Sequence, residues 1–316
     1  MHACEQICPN GVLFLRKNNF LIFRRIFLRR VNFLRGNIAS VRGFVINHCS
    51  PFHDDKSIIS PTKKQVKKNM RYNHKMTNLQ GKTVLVTGAA RRVGKIFAIA
   101  CAKAGADVIV HHGHSPEEAE ALCADIAASY HASAWALACD LSQPEAVSKL
   151  IAQANQIRPL YALVNSASIF ENLSFQNTRL ADWEKHFAIN LTAPFLLSQA
   201  FAKQTERGRI INILDWRALR PGADHFPYTI TKSALAAMTK SLALALAPHI
   251  LVNGLALGAI LPPADSQSNK NKIIENVPAK RWAKTKEAED ALIFLLTCPE
   301  YITGEIIHLD GGRHLI

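Results

Sequence analysis

Hydrophobic residues follow two alternating rhythms between residues 83 and 309. Short β-branched apolar runs are each followed by a longer segment with apolar positions every three or four residues, the signatures of strand and helix. The pattern predicts strands over 83–87, 107–111, 134–139, 160–164, 209–214, 250–254 and 305–309. Helices are expected over 93–104, 116–130, from 142, over 180–204 and over 226–247. Gly105 stops the first of them; Ser115-Pro116-Glu117-Glu118 and Ser142-Gln143-Pro144-Glu145 open the next two with a capping residue and an early proline. Strands of this kind, alternating with helices, belong in a parallel sheet covered on both faces. The expected fold class is therefore α/β: a doubly wound parallel sheet of about seven strands in a single domain over 79–316, with its ligand at the carboxyl ends of the strands. Residues 259–285 keep neither rhythm and read as an irregular loop with a short helix.

The residues before this domain have a different balance. Residues 1–78 hold 15 Lys/Arg against 3 Asp/Glu, a charge of +12, whereas 79–316 hold 23 against 21, or +2. The total of +14 thus describes the extension. The domain lacks the basic surplus of a phosphate-backbone groove, so no nucleic acid is expected as partner. Residues 11–35 mix apolar residues with arginines, and no run reaches the roughly 20 apolar residues of a membrane span. A targeting peptide, a surface-lying amphipathic helix, and a disordered or mis-assigned start upstream of Met76 are the competing readings of 1–78. The seven cysteines show neither CxxC pairs nor zinc-site spacing, so no metal is expected. Cys101, Cys123 and Cys139 fall in apolar patterns and read as reduced thiols, which fits a cytoplasmic location.

Candidate chemistry gathers at the strand ends. The first strand runs into Thr87-Gly88-Ala89-Ala90-Arg91-Arg92-Val93-Gly94, a strand–turn–helix in which free backbone N–H groups meet a nucleotide pyrophosphate. Gly88 and Gly94 are present, but Arg92 stands where such a turn usually has its middle glycine. The second strand leads into His111-His112-Gly113-His114-Ser115, with no carboxylate. A carboxylate there would repel a ribose 2′-phosphate, so its absence favours NADPH, with His114, Ser115 and Arg91 as donors; alternatively the histidines only solvate a loop. Asp140-Leu141 either meets the adenine or caps a helix. Asn165-Ser166-Ala167-Ser168-Ile169-Phe170 ends the fourth strand with small residues that let the backbone approach a cofactor. Phe170 is either core or a ring for stacking a flat substrate. Asn190 is an interior polar residue that needs partners, with a proton relay as its candidate role. Asp215, at the end of the fifth strand, is either a loop cap or a catalytic carboxylate. Tyr228 and Lys232 share one helix face. The ammonium is expected to lower the phenol pKa and ready Tyr228 for proton exchange near neutrality. Trp135, Trp183 and Trp282 read as packing.

The joint set of TGAARRVG (87–94), DL (140–141), NSAS (165–168), Asn190, YTITK (228–232) and DGG (310–312) resembles a short-chain dehydrogenase/reductase over roughly residues 80–316, a Rossmann-type fold. Within that superfamily, Arg92, Phe170 and the Asp-Trp-Arg of 215–217, whose aspartate replaces the usual serine, are similar to pteridine reductases and dihydromonapterin reductases. The resemblance implies NADPH-dependent reduction of a dihydromonapterin, dihydrobiopterin or dihydrofolate type of ring. Phe170 would stack on the pterin, Asp215 and Tyr228 would deliver the proton, and Lys232 would bind the nicotinamide ribose. Arg92 would bridge cofactor phosphates and substrate, Ser168 would line the pocket, and Asn190 would complete the catalytic set. Gly88, Arg91, Val93, Gly94, Asp140, Leu141, Asn165, Ala167 and Gly258 would be further cofactor contacts. The family usually forms homo-oligomers, tetramers above all. Ser166 departs from the usual asparagine, and Leu257-Gly258 replaces the usual Pro-Gly. Two alternatives stand beside this reading. A reductase of carbonyls such as a 3-oxoacyl thioester is opposed by Asp215, and a non-catalytic NADP-binding regulator by the joint presence of Tyr228, Lys232 and Asn190.

Overall fold

The computed structural model describes residues 78–262 and 270–316, together with the backbone of three short strands near the N-terminus. Those strands, β1 (Gln6–Ile7), β2 (Val12–Lys17) and β3 (Phe20–Arg25), pair antiparallel in that order. The stretches 12–17 and 20–25 are therefore extended rather than the amphipathic helix that was one expectation. Their Val, Leu, Ile and Phe content favours a pleated ribbon. The targeting-peptide and mis-assigned-start readings rest mainly on stretches outside the described residues.

The larger unit alternates strand and helix as its rhythms require. Its elements are β4 (Thr83–Val86), α1 (Arg92–Lys103), β5 (Asp107–His112), α2 (Pro116–Ser129), β6 (Ala134–Ala138), α3 (Pro144–Ile157) and β7 (Ala162–Asn165). After them come α4 (Leu180–Phe187), α5 (Ala193–Gln204), β8 (Gly208–Asp215), α6 (Phe226–Leu246), β9 (Ile250–Leu257), α7 (Lys270–Glu275), α8 (Thr285–Thr297) and β10 (Ile306–Leu309). The seven strands β4–β10 are all parallel, in the order β6-β5-β4-β7-β8-β9-β10. Chain direction across the sheet reverses between β4 and β7, and that switch point opens the ligand crevice of a doubly wound fold.

Each central strand is apolar on both faces because each face has its own core. Val84 and Val86 of β4, Val108 and Val110 of β5 and Ala162 and Val164 of β7 pack with α1, α2 and α8. Leu85, Ile109 and Leu163, the residues between them, pack with α3 and α5 on the other side. The period of two thus survives inside runs that look uniformly hydrophobic. Cys101, Cys123, Cys139 and Cys298 are buried free thiols, and burial pushes the Cys101 thiol up to about 12. Among the described residues no helix is long and apolar enough to cross a membrane.

Two elements differ from expectation for identifiable reasons. The helix expected over 180–204 is interrupted by a wide, π-helical turn at Ala188–Thr192. Pro194 has no N–H to return to the carbonyl of Asn190, so the α-helical ladder cannot run through this point. The strand expected to end at Gly254 continues to Leu257. A Cβ at Gly254 would lie 2.8 Å from Cδ1 of Leu214 and 3.2 Å from Cγ1 of Ile306. Glycine here makes room for neighbouring strands instead of ending its own.

Candidate active site

The crevice has a cofactor end built from backbone. Thr87 follows β4, and its hydroxyl accepts the N–H groups of Ser166 and Ala167 at 2.9 and 3.0 Å, tying two strand ends together. Gly88 adopts φ +63°, and a Cβ on it would come within 2.9 Å of the Ala167 Cα. A Cβ on Gly94 would lie 2.1 Å from the Gly88 carbonyl oxygen. Only glycine permits either approach. The first turn of α1 contains no acidic residue, and no side chain caps it. Its free N–H groups and the positive end of its dipole suit the pyrophosphate of a dinucleotide. Arg92 sits at φ +50°, in the left-handed region that the missing glycine would adopt without strain.

The arginines of this turn point to different places. Arg91 pairs with Glu118 in the first turn of α2, both side chains being largely exposed. Arg92 donates to the Pro262 carbonyl at 3.0 Å, beyond β9. That bond places its guanidinium at the loop that follows β9. His114 is exposed, and Ser115 caps α2 in position although its hydroxyl makes no cap bond. Asp140 accepts the Ser142 N–H at 2.9 Å and so caps the turn before α3, whose N-cap position is taken by Gln143, while Leu141 is buried in the core. Gly258 backs onto the DGG segment: a Cβ on it would lie 2.6 Å from the Asp310 Cα.

His111, which closes the expected second strand and heads the histidine segment, is buried at 1% exposure under the turn. Its Nδ1 accepts the Gly88 N–H at 3.1 Å, and its Nε2 lies 3.0 Å from the Cys139 carbonyl. The ring must be neutral and protonated on Nε2 to make both bonds. Burial pushes its pKa down to about 4.

The substrate end is built from side chains. Tyr228, in the first turn of α6, donates its hydroxyl proton to Oδ2 of Asp215 at 3.1 Å. Oδ1 of Asp215 accepts the Arg217 N–H at 2.9 Å, so this carboxylate is both a turn cap and a partner of the tyrosine. Lys232 is buried and donates to the Ile213 carbonyl at 2.7 Å, with its Nζ 5.7 Å from the Tyr228 ring centre. Burial lowers the Lys232 pKa to about 8. The expectation that the ammonium would lower the phenol pKa is reversed: burial and the adjoining Asp215 carboxylate hold Tyr228 well above its ordinary value.

Phe170 is 53% exposed and so belongs to the pocket wall, not the core. One face is covered by the His225 ring, 3.8 Å away between centroids and 13° from parallel, and Tyr228 meets it edge-on at 4.6 Å. A planar substrate would share Phe170 with His225 or displace it. Asn190, fully buried in the π turn, accepts from the Ile169 N–H and the Ser168 hydroxyl and donates to the Ile169 carbonyl and the Thr231 hydroxyl. All four side-chain positions are used on protein atoms, so the side chain holds the loop of Phe170 in place and has no capacity left for relaying a proton. Asn165 lies in a buried ladder, donating to Asn212 at 2.8 Å, which donates in turn to Thr239 at 2.9 Å. Its side chain therefore faces the sheet–helix core rather than the crevice. Arg217, noted in the sequence only as part of the Asp-Trp-Arg run, borders this end together with His225, Asp224 and Arg313, which the sequence did not single out; Arg313 directly follows the DGG motif, the one available signal for it.

Residues 82–273 match the model of the short chain dehydrogenase family. The chain is 36% identical over 245 residues to the 3-oxoacyl-[acyl-carrier-protein] reductase of Aquifex aeolicus, covering 74% of this chain and 98% of that protein. Among solved structures it resembles the FolM alternative dihydrofolate reductase 1 of Brucella canis complexed with NADP. The TM-score is 0.71 at 33% identity, covering 76% of this chain and 96% of the other. A blue fluorescent protein from a metagenomic library, in complex with NADPH, gives a TM-score of 0.70 at 32% identity, covering 75% and 99%. With the strand order, the phosphate turn and the Tyr228–Lys232 pair described above, these matches place the chain in the short-chain dehydrogenase family.

Proposed function

We propose that the protein is an NADPH-dependent reductase of a pterin or dihydropterin ring, of the dihydromonapterin, dihydrobiopterin or dihydrofolate type. The observation that carries this reading is the hydrogen bond from Tyr228 to the carboxylate of Asp215. A carbonyl substrate calls for neutral donors around its developing oxyanion, and a carboxylate there would repel it. A pterin presents a ring nitrogen beside an amino group, an edge of donors that pairs well with a carboxylate. The NADP and NADPH complexes among similar structures, one of them named a dihydrofolate reductase, support the same reading.

NADPH supplies the hydride, and this chain's residues handle orientation and the proton. The N-terminus of α1 would hold the pyrophosphate, and Ser115, His114 and, once released from Glu118, Arg91 would be the donors for a 2′-phosphate. Tyr228 keeps its proton at neutral pH because burial and Asp215 both disfavour phenolate, so it acts as an acid toward the ring nitrogen. Asp215 orients that proton, and Lys232, still mostly protonated at pH 7, supplies the positive charge that stabilises phenolate once the proton has left. Asn190 fixes the loop that presents Phe170.

The identity to the Aquifex enzyme favours a second reading, reduction of a 3-oxoacyl thioester. NADPH oxidation by the purified protein against dihydromonapterin, dihydrobiopterin, dihydrofolate and an acetoacetyl thioester separates the two. Turnover confined to the thioester would refute the pterin reading. Asp215→Ala is expected to abolish pterin turnover with NADPH affinity changed no more than a few-fold; joint loss of both would make Asp215 structural.

A further inference from the structure

The C-terminal segment brings a second guanidinium to the substrate end. Asp310, just past β10, accepts the N–H groups of Gly312 and His314 at 2.9 and 2.8 Å and the His314 Nδ1 at 2.7 Å. These bonds fix the short turn Arg313–Leu315 and point Arg313 at the residue beside Asp215: its Cζ lies 4.3 Å from the centre of the Trp216 ring. Arg217 lies 4.6 Å from the same ring, but its charge is met by Asp224 at 2.6 Å and Asp215 at 3.5 Å. Arg313 is half-buried, and among the described residues its guanidinium makes neither a hydrogen bond nor an ion pair. Arg217 is taken by Asp224 and Asp215, and Asp310 spends its oxygens on the Gly312 and His314 N–H groups and the His314 ring, so Arg313 is the cation here without an acceptor among the described residues. A half-buried guanidinium with unused donors is poorly satisfied alone and well matched to a planar or tetrahedral oxyanion.

We propose that Arg313 receives an oxyanion, carboxylate or phosphate, carried by the substrate beyond its reacting ring. This rests on the reductase reading of the site and narrows it to anionic substrates. Trp216 gives the connecting part of such a substrate an apolar surface between the anion and the proton-donating pair. Arg217 remains committed to the two aspartates, so the added charge falls on Arg313.

The test compares wild type, Arg313→Gln and Arg313→Lys with NADPH and two substrates sharing a ring: dihydrofolate, which carries carboxylates, and dihydrobiopterin, which does not. For Arg313→Gln the KM for dihydrofolate is expected to rise about tenfold or more, with kcat changed less than about twofold. The dihydrobiopterin constants should stay within about twofold, and Arg313→Lys should recover part of the loss. An equal rise for both substrates, or none for dihydrofolate, overturns the proposal. Calorimetric titration of the NADPH-saturated protein with p-aminobenzoyl-glutamate and with 4′-phosphopantetheine tells a carboxylate source from a phosphate source. Whichever probe binds wild type should bind Arg313→Gln about tenfold more weakly. If wild type turns over neither dihydropterin, the pterin reading fails and the calorimetry alone decides. Binding of neither probe to wild type, or equal binding to the variant, then refutes the role of Arg313.

Discussion

The two ends of the crevice are made of different material. At the cofactor end the working groups are backbone N–H donors, held by glycines that nothing larger can replace, with His111 as a buried strut beneath them. At the substrate end they are side chains from four separated stretches: Phe170 after β7, Asp215 and Trp216 at the end of β8, Tyr228 and Lys232 on α6, and Arg313 after β10. Backbone sites recognise what every dinucleotide shares, so they tolerate little change and distinguish few ligands. Side-chain sites are set residue by residue and can be retuned without moving the fold. On the proposed reading, affinity for cofactor and choice of substrate should thus be separable in this molecule.

Damage at each end should therefore leave different signatures. The largest expected effect is Tyr228→Phe, which removes the proposed proton donor. Turnover should fall about 10²- to 10⁴-fold while the NADPH dissociation constant, followed by fluorescence titration, stays within about threefold. Next is the acid sensitivity of His111. Its folded pKa of about 4 lies below the ordinary 6.5, so the unfolded chain takes up a proton that the folded one refuses. The stability it contributes is complete above about pH 6.5 and is lost as pH falls toward 4, amounting to about 3 kcal/mol at most. Urea midpoints measured from pH 7 to 4.5 should show this slope in wild type and a shallower one in His111→Asn, whose side-chain oxygen can still accept the Gly88 N–H. Gly94→Ala sharpens the contrast from the other side. Its Cβ must push the Gly88 carbonyl away, costing about 1–3 kcal/mol, and the KM for NADPH should rise about tenfold while substrate preference stays unchanged. The smallest effect is Arg92→Gly. Relief of the left-handed strain should raise stability by up to about 1 kcal/mol in a thermal melt, with no loss of NADPH affinity beyond about threefold. A severe loss of cofactor binding would show that Arg92 serves the phosphates directly.

The same division governs what could be read from the chain. Sheet, helices and phosphate turn were legible because they depend on local periodicity and on glycines at fixed offsets. The pairing of Asp215 with Tyr228 was legible because both sit in short motifs at strand and helix ends. His111 was not: a buried strut and a solvated loop residue look alike until β5, β6 and the turn are assembled around the ring. Asn190 was rightly marked as interior, but its role hinges on Ile169 and Thr231, which no local spacing links to it. The stacking of His225 on Phe170 and of Arg313 on Trp216 joins positions far apart in sequence, and neither member of either pair carries a motif naming the other.

The wide turn at Ala188–Thr192 sets a limit on how this enzyme can be improved. Deleting one residue there, and replacing Pro194, would let α4 and α5 merge into a single regular helix with a complete ladder of hydrogen bonds. Such a chain would gain local order and lose its site, because removing a residue turns everything on one side by about 100° about the helix axis and swings Asn190 away from Ile169 and Thr231. Within this segment, regularity and activity are competing designs of one helix.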